Sequence, residues 1–363
     1  MFNNNSKFFK NYYIFSKLLT IIIIKLLFVY LIISLKTKSH IKVGVIGVRH
    51  ESNIGNNLLK YAMSVKLLEL GYIPYIIGTV WDKFNNIEFI NQTTNLIIIK
   101  NNFSEIKIND YDILIVNSDQ TWAKFDKNFY DYGFLRFAEN WTTPRFIYGA
   151  SLGCDFWAFS KKDEELAKIW LKKFSGISVR EKDSINLIKQ HLGINPEFVL
   201  DPTFLINKKY YLDLIKDFKS NINSKKYIFS YIIANCSFTI DLMKKSSKIL
   251  NLEINYFPLN NNSIVKNFLY YLINSECVIT NSYHGTVFSI IFNKPFISVY
   301  SNNRKTRFNS LANLLNIKER LLLKGQQPNY NLLMQPLDIN YELLKIMKQK
   351  SINYLRKNLI KKD

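Results

Sequence analysis

Short apolar runs alternate with amphipathic segments along most of this chain, and no other sequence feature restricts the fold as strongly. The first run, IKVGVIG (Ile41–Gly47), is apolar throughout and ends in glycine, as a strand buried on both faces would. The amphipathic segment that follows stops at Gly71, and glycine commonly terminates helices. Because strands separated by helices form parallel sheets, the pattern predicts a doubly wound α/β fold.

The alternation occurs in two series, separated by a charged stretch of helical pattern at residues 207–225. At 363 residues, the chain is long enough for two domains with cores of their own. We therefore expect two Rossmann-like halves, residues 41–206 and 207–335. The remaining expected units are an N-terminal hydrophobic segment and a basic C-terminal helix, residues 1–40 and 336–363.

Positive charge is concentrated at the two ends of the chain. The formal net charge is +21; residues 1–42 hold seven lysines and no acid, and residues 340–363 hold seven basic residues against two acids. Basic ends suit an anionic membrane surface better than nucleic acid, and no nucleic-acid-binding motif is present. The three cysteines lack CxxC spacing, which argues against a zinc cluster or a disulfide framework and fits a reducing compartment.

The N-terminal run LLTIIIIKLLFVYLIISL (Leu18–Leu35) is nearly long enough to span a bilayer, but Lys25 interrupts it. Lysines recur near the helical repeat and would line one face, as in a helix that lies in the membrane interface. A tilted membrane span and a core helix are the alternatives. No small-residue cleavage site follows, so the run does not match a secretory signal peptide.

Polar residues follow the predicted strand ECVITNS directly. Ser282 and His284 come just past its carboxyl end, and Gly285 and Thr286 open the next helix. Helix-start N–H groups favour an anion, so the histidine is a candidate site residue at the cleft between the halves. The alternative is a capping loop with a packed histidine.

Another candidate is Arg180, at the end of the strand ISVRE. A guanidinium matches the oxygens of carboxylate and phosphate groups. The alternative reading is a surface pair with Glu181 or a strut between helices.

Two loops of the first series also carry polar residues at expected strand ends. VNSDQTW contains Ser118, Asp119 and Gln120, and GVRHESNIGNN contains His50, Asn53, Gly55 and Asn56. The second loop lacks the GxGxxG spacing of a dinucleotide site.

Asp110 and Asp112 have the DxD spacing that some glycosyltransferases use for a metal, but they precede their strand and so lie away from the expected cleft. His40 and His191 do not occupy catalytic positions. HExxH and P-loop motifs are absent from the sequence.

Six motifs occur in a fixed order from about Ile41 to Leu315: NIGNNLLKYAM, NSDQTW, YGASLG, ISVRE, VLDPTFLI and TNSYHGTVFSIIFNKPF. In this order they resemble the polysaccharide pyruvyl transferase family. The resemblance implies a GT-B-like fold of two Rossmann-like halves. It also implies transfer of a pyruvyl group from phosphoenolpyruvate to sugar hydroxyls, usually as a cyclic ketal.

The resemblance also implies roles for individual residues. His284 matches the family's histidine, a group that can act as acid or base near neutral pH, and Arg180 matches its strand-end arginine. Ser282 stands where characterised members often carry an arginine. Arg304, Lys305 and Arg307 are nearby in sequence and could replace that missing charge.

The resulting site prediction has three parts. The catalytic candidates are His284 and Asp119. The donor-binding candidates are Arg180, Ser282, Gly285, Thr286, Arg304 and Arg307. The acceptor-binding candidates are Asn53, Asn56, Ser118 and Ser151. We expect no metal and no cofactor, with phosphoenolpyruvate as co-substrate.

The expected acceptor is a sugar or a lipid-linked oligosaccharide precursor of a capsule or lipopolysaccharide. The enzyme would then work in the cytoplasm at the inner face of the membrane, held there by its N-terminal segment. Two alternatives are a GT-B glycosyltransferase that uses a nucleotide sugar and a non-catalytic, membrane-bound protein of polysaccharide assembly.

Overall fold

The computed structural model describes residues 40–47, 53–79, 97–100, 102–123, 129–218, 226–233, 236–257, 264–302 and 305–360. Over these ranges the chain forms two sheets in which all strand pairs run parallel. The predicted doubly wound α/β architecture is confirmed. The hydrophobic N-terminal segment falls outside the described residues, apart from His40.

The first sheet has seven strands. They are β1 (Lys42–Ile46), β2 (Ile73–Thr79), β3 (Ile97–Lys100), β4 (Ile113–Val116), β5 (Arg145–Ala150), β6 (Gly176–Val179) and β7 (Glu197–Phe198). Their order across the sheet is β3-β2-β1-β4-β5-β6-β7. The direction of winding changes between β1 and β4, and ligands of such sheets bind where the carboxyl ends of these two strands diverge.

The second sheet has five strands. They are β8 (Tyr227–Tyr231), β9 (Glu253–Tyr256), β10 (Cys277–Thr280), β11 (Phe296–Tyr300) and β12 (Leu321–Leu323). Their order is β12-β11-β10-β8-β9, so the switch point lies between β8 and β10. The edge strand β12 was not predicted, because a three-residue apolar run has no period that distinguishes a strand from a helix.

Ten helices cover the sheets within the described ranges. They are α1 (Ile54–Glu69), α2 (Phe129–Phe134), α3 (Lys161–Leu171), α4 (Asp183–Leu192), α5 (Lys208–Ile215), α6 (Ser237–Leu250), α7 (Ile264–Asn274), α8 (Tyr283–Ile291), α9 (Lys305–Leu315) and α10 (Tyr341–Leu359). None of them has both the length and the apolar character needed to cross a bilayer.

Apolar strand interiors account for the stability of both sheets. The side chains of Val43, Val45 and Ile46 in β1, and those of Val278 and Ile279 in β10, are 0–1% exposed. Burying one such side chain contributes about 1.5–3 kcal/mol. Each strand is therefore covered by helices on both faces, which is why its sequence reads as a continuous apolar run rather than an alternating one.

Helix α1 begins four residues earlier than its amphipathic pattern indicates. The side chain of Asn53 accepts hydrogen bonds from the backbone N–H groups of Gly55 and Asn56 at 2.9 and 3.3 Å, so it caps the helix before the apolar residues begin. Ile54 and Leu58 then pack in one core with Phe268 of α7 and Phe288 of α8. The same helix therefore contributes to both halves.

Helix α10 packs on the first sheet although it follows the second in sequence. Tyr354 and Leu355 lie in one apolar cluster with Phe146 of β5, and the Tyr354 hydroxyl donates to the carbonyl of Ile147 at 2.7 Å. Two polar contacts also join the halves near the strand ends. The Lys182 N–H donates to Ser310 Oγ at 3.1 Å, and Lys305 Nζ lies 2.9 Å from Asp155 Oδ2.

Candidate functional site

Two helix N-termini, one from each half, meet at the carboxyl ends of the sheets. Helix α1 follows β1, and helix α8 follows β10 with Ser282 as its cap; the hydroxyl of Ser282 accepts from the Gly285 N–H at 3.3 Å. The imidazole of His284 lies against Gly55, since a Cβ built on that glycine would be 1.9 Å from His284 Nδ1. The first turn of α1 therefore forms one wall around the histidine.

Arg180 is the centre of a buried group of charges. Its side chain is fully buried, and its Nη1, Nη2 and Nε donate to Asp201 at 2.7 Å, Asp119 at 2.9 Å and Glu181 at 3.2 Å. Arg180 and Glu181 do interact, but the pair is buried and is not the surface pair that was the alternative from sequence. Three carboxyl groups around one guanidinium, two of them ionised aspartates, account for why the arginine tolerates complete burial.

Asp119 holds an unusual backbone conformation at the end of β4. Its φ is 108°, in a region that residues other than glycine rarely adopt, and such strain costs on the order of 1–3 kcal/mol. The carbonyl of Asp119 accepts from the N–H of Ser151, and its Oδ2 accepts from Asn56 Nδ2 at 3.2 Å. These contacts aim the carboxylate at Arg180.

His284 faces a second carboxylate. Its Nε2 lies 3.6 Å from Asp201 Oδ2, which is longer than a hydrogen bond, and this nitrogen is buried without a hydrogen-bond partner. The other oxygen of Asp201 accepts from the backbone N–H and the hydroxyl of Thr203 at 3.1 and 2.6 Å. Asp201 is thus rigidly held beside both Arg180 and the imidazole.

Tyr283 lies close to two guanidinium groups. The Cζ of Arg180 is 4.9 Å from the centroid of its ring, and that of Arg307 is 5.7 Å away. Arg307 is 8% exposed and acts electrostatically on Asp119 and Glu181. Arg307 therefore brings a second positive charge to the cluster from α9.

The three carboxyls differ in their protonation equilibria. Burial alone would raise the pKa of Asp119, but the neighbouring Arg180 and His284 hold it below its ordinary value. Burial acts on Asp201 in the same direction, yet His284 and Arg180 hold its pKa well below the usual range. Burial of Glu181 prevails over the opposing charges of Arg180 and Arg307 and raises its pKa.

Several predicted site residues lie at the cluster but have internal partners. Ser118 Oγ donates to the Gly149 carbonyl at 2.8 Å, and Ser151 Oγ accepts from the Gly153 N–H at 3.1 Å. The hydroxyl of Thr286 bonds with Ser298 Oγ at 2.7 Å and with the Ser282 carbonyl. These buried side chains connect strands and helices, so their hydroxyl groups already have partners within the protein.

The remaining predicted residues divide into packing, capping and unplaced groups. Gly285 packs on Thr280, since a Cβ there would be 2.4 Å from Thr280 Oγ1. Asn53 is the cap of α1. Arg304 and His50 lie outside the described residues. Lys305, on the same helix as Arg307, pairs with Asp155 at the surface.

Three residues of the cluster were not singled out from the sequence, or were considered only as partners. Asp201 lies in the motif VLDPTFLI, and an Asp-Pro pair after an apolar run was its only signal. Glu181 was considered only as a surface partner of Arg180. A tyrosine between two polar residues carries no spacing signal, so the sequence does not mark Tyr283.

Within the described part of the chain, the cluster coincides neither with a candidate metal site nor with the large cavity beside Tyr300. Among the described residues, no group of three or more His, Cys, Asp or Glu side chains could hold a metal ion. A cavity of about 1010 Å³ lies elsewhere, beside Tyr300, Asn313 and Leu322. The candidate site is therefore identified by its charged groups and its position at both switch points rather than by cavity size.

This two-sheet architecture is also that of known nucleotide-sugar enzymes. The UDP-GlcNAc 2-epimerase of Methanocaldococcus jannaschii is similar with a TM-score of 0.51 and 13% identity, over 85% of this chain and 93% of that chain. The enzyme from Neisseria meningitidis, bound to UDP-GlcNAc, is similar with a TM-score of 0.52 and 10% identity, over 87% and 99%. At these identities the likeness shows the GT-B-like fold alone.

The sequence identifies the family. A family model described as polysaccharide pyruvyl transferase matches residues 53–303, which include Asp119, Arg180, Glu181, Asp201 and His284 of the charged cluster but not Arg307. The chain belongs to the polysaccharide pyruvyl transferase family, an enzyme family, as the six motifs indicate. A search of curated proteins gives no match to the chain.

Proposed function

We propose that this enzyme transfers a pyruvyl group from phosphoenolpyruvate to sugar hydroxyls of a surface polysaccharide or of its lipid-linked precursor, forming a ketal. The observation that carries the proposal is the cluster of His284, Arg180 and Arg307 at the facing ends of both sheets, of which His284 and Arg180 lie inside the family match. A donor with a phosphate and a carboxylate needs cations, and the reaction needs an acid or a base.

Two features favour a donor site between the halves. The N-termini of α1 and α8 meet at the contact of Gly55 with His284, and N–H groups at a helix start favour an anion. Family members often carry an arginine where this chain has Ser282. We propose that the guanidinium of Arg307 takes its place as the direct ligand of the donor. Arg180, which already bonds with three carboxyl groups, would hold the geometry and contribute charge.

We propose His284 as the base for the acceptor hydroxyl. A sugar hydroxyl attacks C2 of the donor as C3 takes up a proton, and the hydroxyl proton passes to the imidazole. A second hydroxyl then attacks C2, and the bond from C2 to the phosphate oxygen breaks. Asp201 supports the imidazolium formed in the first step, because a carboxylate 3.6 Å away favours the charged ring.

The acceptor side would lie at the switch point of the first sheet. Asn56 and Asp119 are held there, and Asn117 is 1% exposed with an Oδ1 that has no hydrogen-bond partner. An amide oxygen of this kind suits a sugar hydroxyl. We further propose that the basic ends of the chain bring the enzyme to the inner face of the membrane, where lipid-linked acceptors would be found.

Thermal unfolding with two ligand types tests the donor. We expect phosphoenolpyruvate to raise the Tm of the full chain, whereas a panel of UDP-sugars does not, since a ligand at about 100 times its Kd adds roughly 2.7 kcal/mol. The gain should be smaller in Arg307→Ala. Stabilisation by a UDP-sugar alone would replace the proposed donor with a nucleotide sugar.

A further inference from the structure

One carboxyl oxygen of Glu181 lacks a hydrogen bond of normal geometry, although the Ser151 hydroxyl lies near the group. The residue is 1% exposed, and its Oε2 is buried without a hydrogen-bond partner. The great majority of buried polar atoms are paired, so an unpaired carboxyl oxygen beside a reaction site calls for an explanation. A protonated carboxyl that awaits an acceptor on the substrate would provide one.

The contacts of Arg180 are unequal among the three carboxyls. Its terminal nitrogens donate to Asp201 and Asp119 at 2.7 and 2.9 Å, whereas Glu181 receives only Nε, at 3.2 Å. The guanidinium therefore interacts most closely with two aspartates, which remain ionised. A third buried negative charge would be less well compensated, which favours a neutral Glu181.

The surroundings of Glu181 support the same protonation state. The charged and titratable groups around it are Arg180, Arg307, Tyr283 and Cys154, and the hydroxyl of Ser151 also contacts it. Burial raises the pKa of Glu181 despite the two arginines, while the pKa values of Asp119 and Asp201 are lowered. When the environment shifts the pKa values of neighbouring titratable groups in opposite directions, these groups commonly divide the acid and base roles of a reaction.

We propose that Glu181 is the acid that protonates the methylene carbon of the donor. This inference rests on the proposed function, which requires a proton at C3 and leaves its source open. Glu181 interacts electrostatically with Arg307, the proposed donor ligand, which is consistent with a place on the donor side of the cluster.

The proton transfers of this step balance. The electron pair of the C2=C3 bond takes the proton from Glu181, so a C–H bond of the new methyl group forms and Glu181 becomes a carboxylate. The acceptor oxygen bonds to C2, and its proton passes to His284. When the second hydroxyl bonds to C2, phosphate leaves with the electron pair of the C2–O bond. Glu181 takes the second hydroxyl proton, and His284 gives its proton to the departing phosphate.

Two measurements on Glu181→Gln test the proposal. Infrared difference spectra of the full chain at pH 7 should contain the C=O stretch of a protonated carboxyl in the wild type and lack it in the variant. Phosphate release from phosphoenolpyruvate, with a mixture of hexose oligosaccharides as acceptors, should fall by about a hundredfold or more. The affinity for phosphoenolpyruvate, from thermal shifts, should change by less than about tenfold.

Controls separate chemistry from structure. Glu181→Asp keeps the acid and should recover part of the turnover. Glu164→Gln changes another buried glutamate, paired with His191 and Trp157, and should release phosphate at the wild-type rate.

Full turnover in Glu181→Gln would overturn the role of Glu181, as would a wild-type spectrum without the band. A loss of donor affinity as large as the loss of turnover would also overturn it, because that pattern means Glu181 only holds Arg180. If the wild type neither binds phosphoenolpyruvate nor releases phosphate, the proposed function itself fails.

Discussion

Gly55 of the first half and His284 of the second are in direct contact, and this contact depends on the absence of a side chain at residue 55. A Cβ there would lie 1.9 Å from Nδ1 and 2.3 Å from Cγ of the imidazole. The histidine that we propose as the base therefore takes its position from a helix of the other half. Catalysis should be sensitive to any change in this contact.

We expect Gly55→Ala to lower turnover by at least about tenfold, because the added methyl group displaces the imidazole from Asp201. The measurement is phosphate release from phosphoenolpyruvate. Gly47→Ala is the matched control at the end of β1, since a Cβ there would meet its nearest atoms at 3.7 and 3.9 Å, an ordinary contact distance. Equal activity in the two variants would contradict the structural role of Gly55.

His284→Ala should reduce turnover by about a hundredfold or more while the protein remains folded, because the proposed base is lost. His191→Ala provides the comparison. The ring of His191 stacks on that of Trp157, with 4.5 Å between the ring centroids, and its Nδ1 contacts Glu164. His191 lies away from the cluster, so its loss should leave turnover unchanged. A fully active His284→Ala enzyme would remove the histidine from the mechanism.

Arg307→Ala should weaken the binding of phosphoenolpyruvate by about tenfold or more, since a charge-assisted contact is worth roughly 1.5–3 kcal/mol. Thermal shifts across a concentration series give the affinity. Lys305→Ala removes a positive charge from the same helix, where it pairs with Asp155 at the surface. If both variants weaken binding equally, the effect is one of general charge, and Arg307 is not a specific ligand.

Arg180→Ala should chiefly lower stability. Removal of the guanidinium leaves Asp119, Glu181 and Asp201 buried around an empty position, and breaking a buried ion pair from one side costs about 3–5 kcal/mol. Urea unfolding at pH 7 measures the loss. A variant as stable as the wild type would mean that the three carboxylates do not depend on Arg180.

The stability of the protein should fall on acidification below about pH 4. The pKa values of Asp119 and Asp201 are lowered from 3.8, so their contribution is fully present above 3.8 and is lost as pH falls below it. The pKa of Glu181 is raised, so this residue acts in the opposite direction. Its contribution to stability decreases as the pH rises above 4.5, the ordinary pKa of a glutamate.

Urea midpoints measured from pH 7 to pH 3 test this dependence. Asp201→Asn should be less stable at pH 7 and should lose less stability on acidification than the wild type. Asp213→Asn, at an exposed carboxylate of α5, should follow the wild-type curve. A wild-type midpoint that does not change between pH 5 and pH 3 would contradict the expected linkage.

The architecture could be predicted from the sequence alone. Continuous apolar runs such as those of β1 and β10 are typical of parallel strands that are buried on both faces. The positions of Arg180, Asp119 and His284 near one another could also be predicted, since parallel strands bring their carboxyl ends to one edge. What each side chain does there could not be predicted in the same way.

Three outcomes depended on contacts between residues distant in sequence. The enclosure of Arg180 by carboxylates requires residues 119, 181 and 201 to converge, and no local pattern encodes that convergence. The contact of His284 with Gly55 joins the two halves. The pKa of Glu181 depends on burial, which is a property of the packed molecule. Local sequence therefore determined the strands, helices and family of this protein, and tertiary packing decided which of its charged groups are ionised, paired or available.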